Sequence, residues 1–99
     1  MLATDTGKIF HTTGAAAAVN FTLPTKAAGL NFIFVNTVGQ NMTVTAEAVD
    51  TIVFKNDAAA DSVAFSTVNE LIGGTFMVWS DGTKWFVASP CTNTVTVAT

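Results

Sequence analysis

The fold is decided by the stretch Phe21-Thr-Leu-Pro-Thr-Lys-Ala-Ala-Gly-Leu-Asn-Phe-Ile-Phe34 and by the later segment Asp50-Thr-Ile-Val-Phe54. Thr, Val, Phe and Ile dominate both segments, and these residues favour the pleated surface of a β-sheet. Pro24 cannot donate a ladder hydrogen bond and ends one strand, whereas Gly29 supplies the turn into the next. The sequence Trp79-Ser-Asp-Gly-Thr-Lys-Trp85 adds the hairpin signal Asp-Gly between two apolar runs. Together these segments predict an all-β protein.

Turn signals recur about every 8–12 residues, a spacing typical of sandwiches and barrels. The strand at 30–38 is apolar on both faces and is expected to be buried on both sides, whereas 55–61 is expected to be a polar loop. The predicted strands cover residues 8–13, 17–23, 30–38, 42–49, 51–54, one or two segments within 62–71, 75–80, 84–88 and 94–99.

We therefore predict a single β domain over residues 1–99. Its architecture is an antiparallel β-sandwich or a jelly-roll-like barrel of about eight to nine short strands. Residues 1–8 are expected to form an N-terminal arm, and residues 94–99 a C-terminal edge strand.

Charged residues are scarce in this chain. Hydrophobic residues make up 49% of the sequence and charged residues 11%, against about 25% in typical globular proteins. A small domain of this composition cannot cover its apolar surface with polar side chains. We therefore expect either that copies of the chain pack on one another or that a partner hides an apolar face.

The charge pattern argues against several kinds of partner. The formal net charge is −3, there is no arginine, and the lysines Lys8, Lys26, Lys55 and Lys84 are scattered. Nucleic acids and anionic lipids both require clustered basic residues, so neither is an expected partner. No apolar run approaches the ~20 residues of a membrane span, and the N-terminus lacks the pattern of a signal peptide. We expect a protein that is made and folded in a cytoplasm.

The chain offers no convincing catalytic or cofactor residues. His11 is the only histidine, and the sequence places no nucleophile and orienting acid beside it, so a surface or interface role is expected. Cys91 is the only cysteine, which excludes an intrachain disulfide, and the sequence places no local base or basic group beside it that would lower its pKa. A depolymerase fragment would need an acid pair that the sequence does not present. We predict no enzyme activity, no cofactor and no catalytic metal.

Two features leave alternatives open. Asp50, Asp57 and Asp61 bracket one loop and could supply oxygen ligands to a structural ion such as calcium, or could form a solvated acidic loop. Trp79 and Trp85 could form a sugar-stacking platform with neighbouring Phe86, although packing in a core or interface is the preferred interpretation. A two-residue turn would pair Trp79 with Lys84 and place the tryptophans on opposite faces, whereas a longer loop would place them opposite one another.

The quoted β segments resemble a pattern found in virion proteins of tailed bacteriophages. Phe21-Thr-Leu-Pro, Met42-Thr-Val-Thr-Ala, Asp50-Thr-Ile-Val-Phe and the closing Trp85-Phe-Val carry the resemblance, which covers about residues 17–88. Similar modules occur in head decoration (cement) proteins and in tail fibres and spikes.

The resemblance implies a decoration protein on the outer surface of the capsid. Such proteins are typically trimers that clamp neighbouring major capsid proteins and stabilise the mature head. Free chain ends can pair with an exposed sheet edge, so capsid contact is expected at the two ends of the chain: Met1, Leu2, Thr94, Val95 and Val97. The alternative that the resemblance leaves open is a trimeric structural or receptor-binding module of a tail fibre or tail spike.

Overall fold

A computed structural model describes residues 2–99 as an all-β domain with one short 3₁₀ helix, Ala3–Asp5. No helix in this part of the chain is long and apolar enough to cross a bilayer. The ten strands are β1 (Ile9–His11), β2 (Val19–Thr22), β3 (Asn31–Val35), β4 (Met42–Thr45), β5 (Ile52–Phe54), β6 (Asp57–Ala60), β7 (Ser62–Phe65), β8 (Thr75–Ser80), β9 (Trp85–Ala88) and β10 (Thr96–Ala98).

The strands form two packed sheets, which confirms the predicted single-domain β-sandwich. One sheet has six strands in the order β1-β3-β8-β9-β5-β6, and the other has four in the order β10-β7-β4-β2. The sheets are mixed rather than purely antiparallel, because β1–β3, β5–β9 and β2–β4 are parallel pairs. From β1 to β4, consecutive strands lie in different sheets. Strands β1 and β3 are therefore neighbours in one sheet and β2 and β4 in the other, and each pair is parallel.

The main correction to the predicted strands concerns residues 55–61. This segment was expected to be a loop, but Asp57–Ala60 forms β6, which pairs with β5 as a hairpin. Lys55 and Asn56 form the two-residue turn, and Lys55 adopts a left-handed φ of 54°. Ala60 is fully buried against the core. Strand β6 raises the number of strands to ten.

The core lies between the sheets and is rich in phenylalanine. Phe10 of the six-stranded sheet stacks on Phe34 with 5.6 Å between ring centroids, and Phe21 of the other sheet lies 5.1 Å from Phe34. Farther along the sandwich, Phe65 stacks on Phe76 at 4.2 Å, again joining the two sheets. Burial of these rings is the main favourable contribution to folding.

The strand predicted at 30–38 ends at Val35, because the next residue is a buried polar junction. Asn36 is fully buried, its side-chain oxygen accepts a 2.7 Å hydrogen bond from the Thr12 hydroxyl, and its side-chain nitrogen donates to the Gln40 carbonyl at 2.7 Å. Its backbone N–H donates to the carbonyl of Gly74. Asn36 thereby joins the ends of β1 and β3 to the loop before β8.

Candidate assembly surfaces

The side of the six-stranded sheet that faces away from the core is apolar. Along β8, alternate residues point inward, whereas Met77 and Trp79 point outward and are 43% and 45% exposed. The strand registers align three outward rows across the sheet: His11–Val35–Thr75 lies at one side, and we call the other two rows the outer face. These two rows are Ile9–Ile33–Met77–Ala88 and Asn31–Trp79–Phe86–Val53. Neither row contains an acidic or basic side chain.

The Trp hairpin places its two tryptophans on opposite faces. Ser80 pairs with Trp85 and Trp79 pairs with Phe86, so the connection is a four-residue loop that matches neither register considered from the sequence. Trp85 points inward, is fully buried and lies 6.0 Å from Phe32. Trp79 points outward and stacks on Phe86, with 6.0 Å between centroids and 20° between planes. One tryptophan therefore belongs to the core and the other to the outer face.

The domain is flat enough to present this face broadly. Its Cα atoms span 34 × 29 × 20 Å. Packed sheets lie about 10 Å apart, so the shortest dimension fits the stacking direction and the longer two describe the sheet plane. An ellipse with these two longer axes covers about 770 Å², which is the outline of the whole domain and therefore an upper limit for the extent of the outer face.

A second uncharged surface lies at one end of the sandwich, beside the loop that precedes β8. This groove has a volume of about 550 Å³. Its lining consists of Gly39, Asn41, Val68, Asn69, Leu71 and Ile72. The Val68 side chain is exposed and that of Ile72 is 68% exposed, whereas Leu71 packs partly against the core.

Hydrogen bonds hold the groove-forming loop in place. The Glu70 carboxylate accepts from both the backbone N–H and the hydroxyl of Thr94, at 2.9 and 2.8 Å. The Asn93 side-chain nitrogen donates to the Glu70 carbonyl at 2.9 Å and to the Ile72 carbonyl at 3.4 Å. The loop is therefore fixed before any partner binds, which lowers the entropic cost of binding.

The expected capsid-contact residues lie in different parts of the fold. Met1 lies outside the described residues, and Leu2 is exposed beside the short helix. The following residues are tied to β3, because the Gly7 N–H donates to the Asn31 carbonyl at 2.7 Å. The C-terminal strand β10 lies at the edge of the four-stranded sheet. Of the contact residues predicted at this end of the chain, the half-buried Val97 lies in β10, whereas Thr94, which is held by Glu70, and the half-buried Val95 precede the strand.

The single histidine and the single cysteine occupy separate positions. His11 is exposed at the edge strand β1, and its Nδ1 accepts from the Thr13 N–H at 3.3 Å.

Burial raises the pKa of the Cys91 thiol, but its 3.2 Å hydrogen bond with Ser89 and weaker polar contacts leave that pKa below 9.0. The first lowering group, Ser89, is a neutral hydroxyl two residues away, and not a local base or basic group of the kind that the sequence lacks.

The acidic loop is organised by hydrogen bonds within the protein. Asp61 accepts from the Asp50 N–H at 2.7 Å, and Asp57 accepts from the Ala59 N–H at 2.9 Å. The ammonium group of Lys84 donates to the Asp50 carbonyl at 2.6 Å and to a second carbonyl of the loop. Within residues 2–99, no three His, Cys, Asp or Glu side chains are grouped as metal ligands. A lysine thus supplies the positive charge beside this loop.

Comparison of the chain with models of protein families, with curated proteins and with solved structures gives no match. Function is therefore argued from geometry, and the resemblance to phage modules remains a prediction. Sequence reasoning missed the outer face because the strand at 30–38 was expected to be buried on both sides. A signal that could have found it is the presence of large apolar side chains on both faces of Thr75–Ser80, since each strand of a two-layer sandwich has only one buried face.

Proposed function

We propose that this protein is a structural assembly module that acts by binding protein surfaces, with no catalytic step. The observation that carries the proposal is the outer face, where two uncharged rows cross the six-stranded sheet and the second row has the Trp79–Phe86 stack at its centre. Contiguous exposed apolar surface on a small domain is typical of interaction sites. Aromatic residues and methionine are enriched at the centres of such interfaces.

Within this class we propose a bacteriophage capsid decoration protein on the outside of the head. In this proposal a homotrimer clamps neighbouring major capsid proteins and binds the mature shell more tightly than its precursor. Preferential binding to one state stabilises that state by mass action, so no chemistry is required. The support is the resemblance over residues 17–88 together with the uncharged outer face.

Electron microscopy of virions that contain the protein tests the location. We expect density on the outer surface of the head, at positions where neighbouring capsid subunits meet. A second measurement compares the temperature at which heads release DNA with and without the bound protein, and we expect a higher temperature with it. Density confined to the tail would contradict the proposal.

The Trp79–Phe86 stack favours a second candidate, a glycan-binding module of a tail fibre or spike. Its exposed rings could pack against the face of a sugar. A glycan array would then show specific binding that is lost in Trp79→Ala and retained in the control Met77→Ala, which removes an equally exposed neighbour on the same strand. Absence of binding to any glycan by the wild-type protein would exclude this candidate.

A further inference from the structure

We infer that copies of this chain bind one another head to tail, with the outer face of one copy packing on the groove of the next. This inference rests on the proposed function in one respect: it assumes that the role of the module is assembly. It deepens that proposal by naming a second copy as the partner of both surfaces.

The two surfaces are separate, as head-to-tail binding requires. Trp79 lies near the end of β8, whereas the groove residues Leu71 and Ile72 precede its first residue, Thr75. Trp79 lies four residues beyond Thr75, about 13 Å along the strand, so Trp79 and the groove lie toward opposite ends of β8. A ring of identical subunits joins two different patches on each copy, whereas a two-fold dimer joins one patch to itself. This chain presents two such patches.

The distribution of charge argues against a charged partner surface and leaves an uncharged one, such as either of these two surfaces on a second copy. The chain carries a net charge of −3, which repels another copy at a distance. Neither row of the outer face and no residue lining the groove is acidic or basic, so the contact buries no unpaired charge. Glu70 lies between groove residues, but its carboxylate is bound to Thr94. A charged partner surface would lose hydration here without gaining an ion pair.

The shapes fit as well. The outer face exposes Met77 and the part of the Trp79 indole that does not stack on Phe86, and the groove volume of about 550 Å³ falls in the ~300–1,000 Å³ range of sites that enclose small organic groups. We expect the Trp79 indole to enter the groove and to contact Val68 and Ile72. A buried tryptophan at an interface centre is a typical hot spot, so its removal should weaken self-association at least about 30-fold.

Two exposed substitutions and one matched control test the inference by analytical ultracentrifugation of the full chain. Trp79→Ser damages the outer face, and Ile72→Asp damages the groove. Val49→Asp adds the same charge at a residue that is 73% exposed and belongs to neither surface. We expect oligomers for the wild type and Val49→Asp, and monomers for the other two variants at equal concentration. Circular dichroism checks that each variant is folded.

Mixing the two damaged variants identifies the geometry. The Trp79→Ser protein keeps its groove and the Ile72→Asp protein keeps its outer face, so a head-to-tail contact restores one interface and produces a dimer that cannot grow. A mixture that stays monomeric would overturn the inference, as would an Ile72→Asp protein with the wild-type mass. A wild-type monomer at micromolar concentration would overturn it too, while binding to phage heads, measured by co-sedimentation, would still test the proposed function separately.

Discussion

The backbone of Gly74 lies directly against the ring of Phe65, so that a Cβ added at Gly74 would be 2.6 Å from Cδ2 of that ring. Phe65 cannot move away freely, because its other face stacks on Phe76 across the two sheets. Gly74 is also hydrogen-bonded to the junction residue Asn36. The lack of a side chain at position 74 therefore allows the loop that forms the groove to approach the core.

Substitution of Gly74 by alanine should destabilise the protein. The added methyl group overlaps the Phe65 ring, and overpacking of this kind typically costs about 1–3 kcal/mol in the free energy of unfolding. In a domain of this size, each kcal/mol lowers Tm by about 4–8 °C, which calorimetry measures. Gly39→Ala is the matched control, because no atom lies within 4 Å of its added Cβ. Equal Tm values for the two variants would contradict the close contact.

The buried junction at Asn36 predicts a cost for Thr12→Val, which keeps the side-chain shape but removes the hydroxyl. That hydroxyl donates to the Asn36 side chain at 2.7 Å and accepts from the Thr37 N–H at 3.0 Å. Removing it leaves the buried Asn36 side-chain oxygen without this donor, at about 1–3 kcal/mol, whereas Thr37 is exposed and its N–H loses less. Urea denaturation should show this loss for Thr12→Val and almost none for the exposed control Thr13→Val. Similar urea midpoints for the two variants would argue against the junction.

The hairpin register predicts different behaviour for the two tryptophans. Trp85→Ala should lower the free energy of unfolding by about 3–5 kcal/mol, since the side chain is fully buried, whereas Trp79→Ala should change it much less. Trp85→Phe should be milder than Trp85→Ala, because it keeps the aromatic contact with Phe32 and removes a buried ring N–H that has no hydrogen-bond partner.

Fluorescence provides an independent measurement of the same register. The Trp79→Phe protein, which retains Trp85, should emit at short wavelength and resist quenching by acrylamide. The Trp85→Phe protein, which retains Trp79, should be quenched readily. Ready quenching of both single-tryptophan proteins would mean that β9 is shifted by one residue against β8, because such a shift exchanges the two faces of β9 and places Trp85 beside Trp79.

The sequence predicted the strands well where apolar alternation was bounded by Pro, Gly or Asp-Gly. Strand β8 occupies the predicted residues 75–80, and β9 differs from its prediction by one residue. The sequence failed at 57–60, where three alanines carry little propensity for any structure and the strand exists because Ala60 packs inward beside Ile52. Tertiary contacts, and not local propensity, therefore determine that residues 57–60 form a strand.

The candidate surfaces were harder to predict than the strands. Periodicity shows which residues of a strand share a face, but the outer face depends on which strands are neighbours. Ile9 and Met77 are far apart in sequence, and they share a row only because β3 lies between β1 and β8. The groove likewise depends on Asn36 drawing the 36–41 turn and the loop before β8 together. No local sequence pattern predicts either the outer face or the groove.

The hairpin loop predicts a dependence of stability on pH. The pKa of Asp81 lies below its ordinary value of 3.8 because its carboxylate accepts hydrogen bonds from the backbone N–H groups of Lys84 and Thr83, at 2.9 and 2.8 Å. A carboxyl group whose pKa is lower in the folded state stabilises the fold when ionised. This contribution is complete above the unfolded pKa of 3.8 and is lost as the pH falls through the folded pKa.

The Asp81→Ala substitution should therefore lower the free energy of unfolding at neutral pH and have less effect at a pH below the folded pKa of Asp81. Urea denaturation of both proteins over this pH range measures the difference, which should shrink steadily as Asp81 takes up its proton. The exposed hairpin residue Thr83 provides the control, since Thr83→Ala keeps the backbone N–H that Asp81 binds and should leave the pH dependence unchanged. A difference between wild type and Asp81→Ala that stays constant with pH would show that the carboxylate contributes nothing through its charge, and that its hydrogen bonds to the loop do not form in solution.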